Sequence, residues 1–404
     1  MNNLPQRLIL ARKSAGFSQE AAATHLGMSR PTFIAMEKGT RNAKPEELAA
    51  LASLYGTSLN RLLRDSAPPA EVAPHLRAVI DKEGDDAGLE MAVAKLTEFV
   101  DDYLFLQSKA SARTNPAPPA QPLRSPMPVE RFAEHCAIEQ RKLLGLGESE
   151  PIASLRHTLD EIGIHIFIDG LNSKLAGLYA FVENFGYCIL VNRKHPPSRR
   201  RWTIAHEYGH YLFDHDRRGV DYVQPMKRKP ENERFCDAFA EHFLMPTAGL
   251  RKRFQDTFQQ KGDVNVGDVI RMADYYGVSL MAMVLRLESI GLISKGSWDA
   301  IKESGASVKE LRKAASLDET IGDNPVFASE DDIFPERYLL LAISAWADEE
   351  ITTSQFAKLV RRSIPEARDL ASSRSQLVDE TGGVRSLIEL NLGSSVVFKE
   401  TQQA

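Results

Sequence analysis

One stretch restricts this chain more than any other: Trp202 to Phe213, reading WTIAHEYGHYLF. Within it, His206 and His210 are four residues apart. On an α-helix such residues share a face, one turn above the other. Two imidazoles so placed can ligate one Zn2+, and the intervening Glu207 can act as general base toward a water. The flanking Trp202, Ile204, Ala205, Tyr211, Leu212 and Phe213 suit a buried helix. Gly209 is a poor helix former. A small residue there leaves room for a metal, a water or a nearby backbone.

Two histidines under-ligate zinc, which in a catalytic site normally has three protein ligands and an open position. The next acidic segment, Glu231 to Pro246 (ENERFCDAFAEHFLMP), offers the third. Glu233 and Asp237 are four apart and share a helical face. Glu233 is the preferred metal ligand. Asp237, one turn on, can accept the outward N–H of a ligating imidazole and so fix its tautomer and orientation. Glu231, Glu241, His242 and Cys236 are the other candidates. A buried free cysteine is more often core, and His215 is expected at the surface. Phe235, Phe239, Phe243 and Leu244 form an apolar side able to pack on the first helix.

Upstream, Val129 to Leu144 and Ile152 to Gly163 suit helices. Three β-rich runs follow: Ile164 to Asp169, Ala176 to Glu183 and Tyr187 to Asn192, with turn residues Asn172, Ser173, Asn184 and Gly186. They are expected to form a small meander leading into the His206 helix. Its exposed edge could hold an extended peptide by main-chain hydrogen bonds. Arg199, Arg200 and Arg201 are taken as a solvated helix start, since short charge runs are usually surface.

The first 65 residues differ in kind. Helical patterns run over Leu4–Ser14, Gln19–His25, a third opened by Ser29 and Pro31, Pro45–Tyr55 and Ser58–Leu63, separated at Gly16, Gly27, Gly39 and Gly56. Ser18 and Ser29 can cap the second and third. Helix, glycine turn and helix fit a helix-turn-helix whose second helix enters the DNA major groove. Residues 1–65 hold nine Lys or Arg against five acids, so the module is +4 within a chain of net charge −5. Residues 66–110 reverse this, with nine acids against four bases. There Leu89, Val93, Leu96, Val100, Tyr103 and Leu104 recur at helical spacing and predict one helix over Gly88–Lys109. It serves either dimerisation or packing on its own chain. Residues 111–128 are rich in Pro, Ala and Ser and read as a semi-rigid linker.

Beyond Ser294, Arg337–Trp346 reads as an amphipathic helix and Ile351–Leu370 as helix, short turn and helix. A helical cap on the preceding domain is the expected role, since no glycine turn separates the last two helices. SSVVF (Ser394–Phe398) is β-like. The organisation expected is therefore five parts: 1–65 helix-turn-helix, 66–110 acidic helical spacer, 111–128 linker, 129–293 metal-site domain, 294–404 helical region. The fold class is α+β, mostly helical. Three widely spaced cysteines, Cys136, Cys188 and Cys236, are no disulfide framework. With no apolar leader or spanning run, a cytoplasmic protein that does not enter membranes is expected.

Two resemblances sharpen these expectations. FSQEAAATHLGMSRPTFIAMEKGTR, within Leu4 to Leu63, resembles the lambda-repressor-like (XRE) family, with Gln19, Gly27, Ser29, Glu37 and Gly39 at the family's positions. It implies a double-stranded DNA operator, read by a homodimer. Ser29, Arg30 and Thr32 then open the recognition helix, and Arg30 is the best base reader, able to pair guanine bidentately. Gln19, Lys38, Arg41 and Lys44 would contact phosphates. Ala35 falls where relatives often carry a longer reading side chain. RWTIAHEYGHYLFDHD with ERFCDAFAEHFLMP, and Ala273 to Ile293 beyond, resembles the ImmA/IrrE family of metallopeptidase-like domains, over about Ala133 to Ile293. The resemblance implies a zincin-like domain with Zn2+ (Mn2+ as the alternative) on His206, His210 and Glu233, and with Glu207 as catalytic base. It also implies a repressor-type protein substrate in a stress or DNA-damage response. The alternatives are a non-catalytic transcription factor using this domain as sensor or scaffold, and an antitoxin-like regulator bound to a partner.

Overall fold

The computed structural model describes residues 3–64, 86–109, 126–171, 175–182, 185–213, 220–222, 230–317, 332–378 and 384–386. The expected linker over 111–125, His215, the turn residues Asn172, Ser173 and Asn184, and the SSVVF patch lie outside them. The chain divides into two compact units: residues 1–69 with 97–114 and 336–404, and residues 70–96 with 115–335. As expected, most of the described residues are helical, with one small sheet at the centre of the second unit. Among the described residues no helix is long and apolar enough to cross a membrane.

The first unit begins with five short helices: α1 (Leu4–Ser14), α2 (Gln19–His25), α3 (Arg30–Glu37), α4 (Pro45–Leu54) and α5 (Leu59–Leu62). The hydroxyls of Ser18, Ser29 and Ser58 accept from the backbone N–H three residues on, capping α2, α3 and α5. Gly27 turns the chain between α2 and α3 at φ +63°, a conformation open to glycine at little strain. Leu8, Ala22, Ala23, Phe33, Met36, Leu51 and Leu62 make one small core beneath them. At its edge, buried Arg12 and Glu37 pair at 2.7 Å, and Glu37 also accepts from Gln19 at 2.8 Å.

A long helix, α6 (Asp86–Lys109), follows. From Thr97 onward it belongs to the first unit, where Phe99, Val100, Tyr103 and Leu106 are fully buried. Its apolar face is covered by the chain itself. Its acidic face meets the helix-turn-helix module. Asp101 accepts from Arg7 at 2.8 Å and Arg64 at 3.0 Å; Asp102 pairs with Arg61 and Arg64; Glu98 accepts from Ser14, Arg61 and Arg361. Burial pulls the Arg61 guanidinium down to about 10, against the charge of Asp102, so it stays a cation at neutral pH.

The second unit holds α7 (Val129–Leu143), α8 (Leu155–Glu161), β1 (Ile164–Asp169), β2 (Leu175–Val182), β3 (Gly186–Asn192), α9 (Pro197–Phe213), β4 (Val220–Tyr222), α10 (Glu231–Leu244), α11 (Thr247–Lys261), α12 (Val266–Tyr276), α13 (Leu280–Ser289), α14 (Ser297–Glu303) and α15 (Val308–Ala314). The three expected strands form, but not as a meander. The order is β1-β3-β2-β4, with β1 parallel and β2 antiparallel to β3. β3 carries the unbroken run Tyr187 to Val191 and is buried along its whole length. A strand apolar on both faces belongs inside a sheet, so it inserts between β1 and β2. The basic run also departs from expectation. The helix starts at Pro197, so the run lies within its first turns, and Arg200 and Arg201 are buried. Arg201 donates to the Ile152 carbonyl at 2.8 Å and Arg200 to that of Arg193 at 3.3 Å. Unsatisfied loop carbonyls, rather than solvent, take these guanidinium groups.

The described residues of the C-terminal region form α16 (Glu336–Ala347), α17 (Thr353–Leu359), α18 (Ile364–Ser375) and the short antiparallel pair β5 (Gln376–Val378) and β6 (Val384–Ser386). These were expected to cap the metal-site domain; they pack instead in the first unit. Tyr338 meets Tyr103 edge-on at 5.4 Å, and Arg361 lies over the Phe99 ring. The apolar and acidic faces of α6 attract both.

Candidate metal centre

The site forms where α9 leaves the sheet and α10 packs across it. Asn192, fully buried at the end of β3, fixes the departure. Its amide accepts from the backbone N–H of Leu171 and Lys194 and donates to the Leu175 carbonyl at 2.8 Å. Helix α9 then runs beneath β2. Phe235, Phe239 and Phe243 of α10 are fully buried; Phe235 stacks on Phe213, and the other two meet Tyr208. That aromatic seam sets the spacing of the two helices.

His206, Glu207 and His210 are all buried. The Nε2 atoms of His206 and His210 each lie 3.4 Å from a different oxygen of Glu233, and the Nδ1 of His206 lies 3.1 Å from Asp237. Two ligands about 2.05 Å from one zinc ion at a tetrahedral angle stand about 3.3 Å apart. Each histidine–carboxylate separation is therefore close to that of two neighbouring zinc ligands. Hydrogen bonding from His206 and the charge of His210 hold the Glu233 carboxyl below its ordinary range, against the opposing effect of burial. Of the remaining candidates, Glu241 and His242 are engaged by Arg286, at 3.5 and 2.8 Å, and Glu231 is exposed.

Three features of the site escape a reading of the motif. Tyr179 of β2 stacks on His210, ring centroids 5.4 Å apart. Gly177 of β2 faces Glu207: a Cβ there would sit 2.9 Å from Thr203 Cγ2 and 3.6 Å from Glu207 Oε1. Gly209 faces α10, where a Cβ would meet the Cα of Cys236 at 3.0 Å and its Sγ at 3.2 Å. Of the three uses offered for a small residue at 209, a nearby backbone is the one observed. Alternation along the strand run could have flagged Gly177 only if the register over α9 were known.

In the first unit, Ser29 and Arg30 at the start of α3 are exposed and Thr32 half-buried, with Ser29 and Thr32 hydroxyls 2.8 Å apart. Lys38 and Lys44 are exposed as well. Arg41 is committed to Glu47 through contacts of 2.6 and 2.9 Å. Gln19 is held at the start of α2 by Glu37.

Comparison with known proteins agrees with this division. Residues 5–65 match a helix-turn-helix domain family, and residues 159–288 match the peptidase family M78, described as the IrrE N-terminal-like domain. The chain thus joins an XRE-type helix-turn-helix domain to a domain of the ImmA/IrrE family. It is 36% identical over 55 residues to the cryptic phage CTXphi transcriptional repressor RstR of Vibrio cholerae. That match takes in 14% of this chain and spans 50% of the length of the relative. The crystal structure of ComR from Streptococcus suis aligns over 92% of this chain and 96% of that one, at 15% identity and a TM-score of 0.15, too low to compare the folds.

Proposed function

We propose that this protein is a DNA-binding transcription regulator whose IrrE-like domain is a zinc-dependent endopeptidase, with Mn2+ as the alternative metal. The observation that carries the reading is that the Nε2 atoms of His206 and His210 each stand 3.4 Å from an oxygen of Glu233, with Glu207 buried on the same helix. His206 and His210 would hold the metal through Nε2. Asp237 accepts the Nδ1–H of His206 and so keeps the Nε2 lone pair on the metal side. A bound ion would supply Lewis acidity for a peptide carbonyl and would lower the pKa of a water toward neutrality. Glu207 takes the proton of the attacking water and returns it to the leaving amine as the C–N bond breaks. The missing side chain at Gly177 keeps the space over Glu207 clear.

The α3 face, with Ser29, Arg30 and Thr32, docks in the major groove of an operator, while Gln19, Lys38 and Lys44 meet phosphates. Arg41 joins them by exchanging Glu47 for a phosphate. The likeness of this module to a phage repressor supports that role. The substrate is a repressor-type protein cleaved under stress or DNA damage, as the family resemblance implies. The test is incubation of the zinc- or manganese-loaded protein with a helix-turn-helix repressor, read by mass. Cleavage products that vanish with Glu207→Gln support the reading; an intact repressor under both metals sinks the hydrolase and leaves a non-catalytic regulator.

A further inference from the structure

His206 and His210 converge on a second donor as well. Cys236 is fully buried on α10, three residues after Glu233, and so lies on the same side of that helix. Its Sγ and one ring nitrogen from each histidine all lie within 4.8 Å of one another. The thiol is pressed into this place from behind: α9 approaches so closely that even a methyl group at Gly209 would stand 3.2 Å from Sγ. Cys136 and Cys188 are different. Burial pushes both thiols up, that of Cys136 to about 11, which keeps them protonated and inert.

Building on the metal reading above, we propose that Cys236 is a fourth protein ligand, which closes the centre in its resting state. Zinc ligands at about 2.0 Å for nitrogen and 2.3 Å for sulfur lie about 3.5 Å apart, so from within 4.8 Å a small side-chain rotation brings Sγ into the shell. Ligation forms one sulfur–metal bond, releases the thiol proton to solvent and displaces the water that hydrolysis needs. A shell of His206, His210, Glu233 and Cys236 has four protein ligands, the arrangement of a structural site; without sulfur it is the open, catalytic arrangement. The choice depends on the metal. Thiolate favours zinc, cobalt and cadmium, while manganese prefers oxygen ligands and leaves the centre open.

The experiment loads the full chain with Co2+ and records its absorption, alongside Cys236→Ser and Cys236→Ala. The expected result is a thiolate-to-cobalt charge-transfer band in the wild type, absent from both variants while each still binds one cobalt. The ratio of cadmium to manganese affinity should also fall at least tenfold in the variants. Cobalt bound at one per chain without the band, or a band that survives both substitutions, overturns the closed centre and leaves the metal reading standing. If the wild type binds no cobalt, zinc or manganese, the metal reading itself fails, and the closed centre with it.

Discussion

Asp101 is the single side chain on which the attachment of the DNA-reading module to α6 most depends. It accepts from Arg7 at 2.8 and 3.2 Å and from Arg64 at 3.0 Å, and the Arg7 and Asp101 side chains are only 3% and 5% exposed. Asp101→Ala removes the carboxylate that accepts two bonds from the buried Arg7, a change that costs about 3–5 kcal/mol. Arg64 keeps Asp102 at 2.9 Å and Arg7 still donates to the Arg64 carbonyl, so the lower end applies. For a unit this size each kcal/mol moves the melting temperature by about 2–4 °C, which gives a fall of about 6–12 °C in the transition of the first unit. Differential scanning calorimetry reads it. Asp101→Asn should lose less, because the carboxamide oxygen still accepts one bond. Replacing both partners, Arg7→Met with Asp101→Leu, should recover much of the loss, since no charge is then stranded. A transition in Asp101→Ala within 2 °C of wild type would refute the reasoning.

Three further perturbations probe the second unit. Gly209→Ala must push α10 away from α9; a loss of about 1–3 kcal/mol in denaturant unfolding is expected, with weaker metal binding, and unchanged stability contradicts the packing. Gly177→Ala meets Thr203 Cγ2, so Thr203→Ser, which removes that methyl, should restore both stability and activity in the double variant; failure to restore would place the clash elsewhere. His242 is held down to about 4 by burial and by Arg286, so it is neutral in the folded state at neutral pH while the unfolded chain protonates near 6.5. The unfolded state therefore binds more protons between those values, and stability should fall as pH drops from about 6.5 toward 4. Thermal melts of wild type and His242→Gln across that window should differ in slope, the variant being flatter.

Legibility in the sequence followed the range of the interactions. The placement of His206, Glu207, His210, Glu233 and Asp237 rests on i, i+4 spacing within two helices, and that is local. The caps at Ser18 and Ser29 were visible for the same reason. Strand order was not, because β3 takes the centre by virtue of two-sided burial, which requires knowing what covers each face. Arg200 and Arg201 looked like surface because their carbonyl partners, at Arg193 and Ile152, are loop atoms with no sequence signature. The neighbour of the C-terminal helices is not legible: their apolar faces and Arg361 are plain in the sequence, but the matching acid, Glu98, is more than 200 residues away. Gly177 gains meaning only once the sheet is placed against α9, and Cys236 stands out from the other candidate ligands only once α10 is.

The central claim is that His206, His210 and Glu233 hold one metal ion beside Glu207. Metal content of the purified full chain, measured by elemental mass spectrometry on wild type, His206→Ala and Glu233→Ala, tests it most directly. The account predicts one zinc or manganese per wild-type chain and loss of most of it in both variants, each still folded by circular dichroism. A metal-free wild type after reconstitution, or full occupancy in both variants, would contradict it.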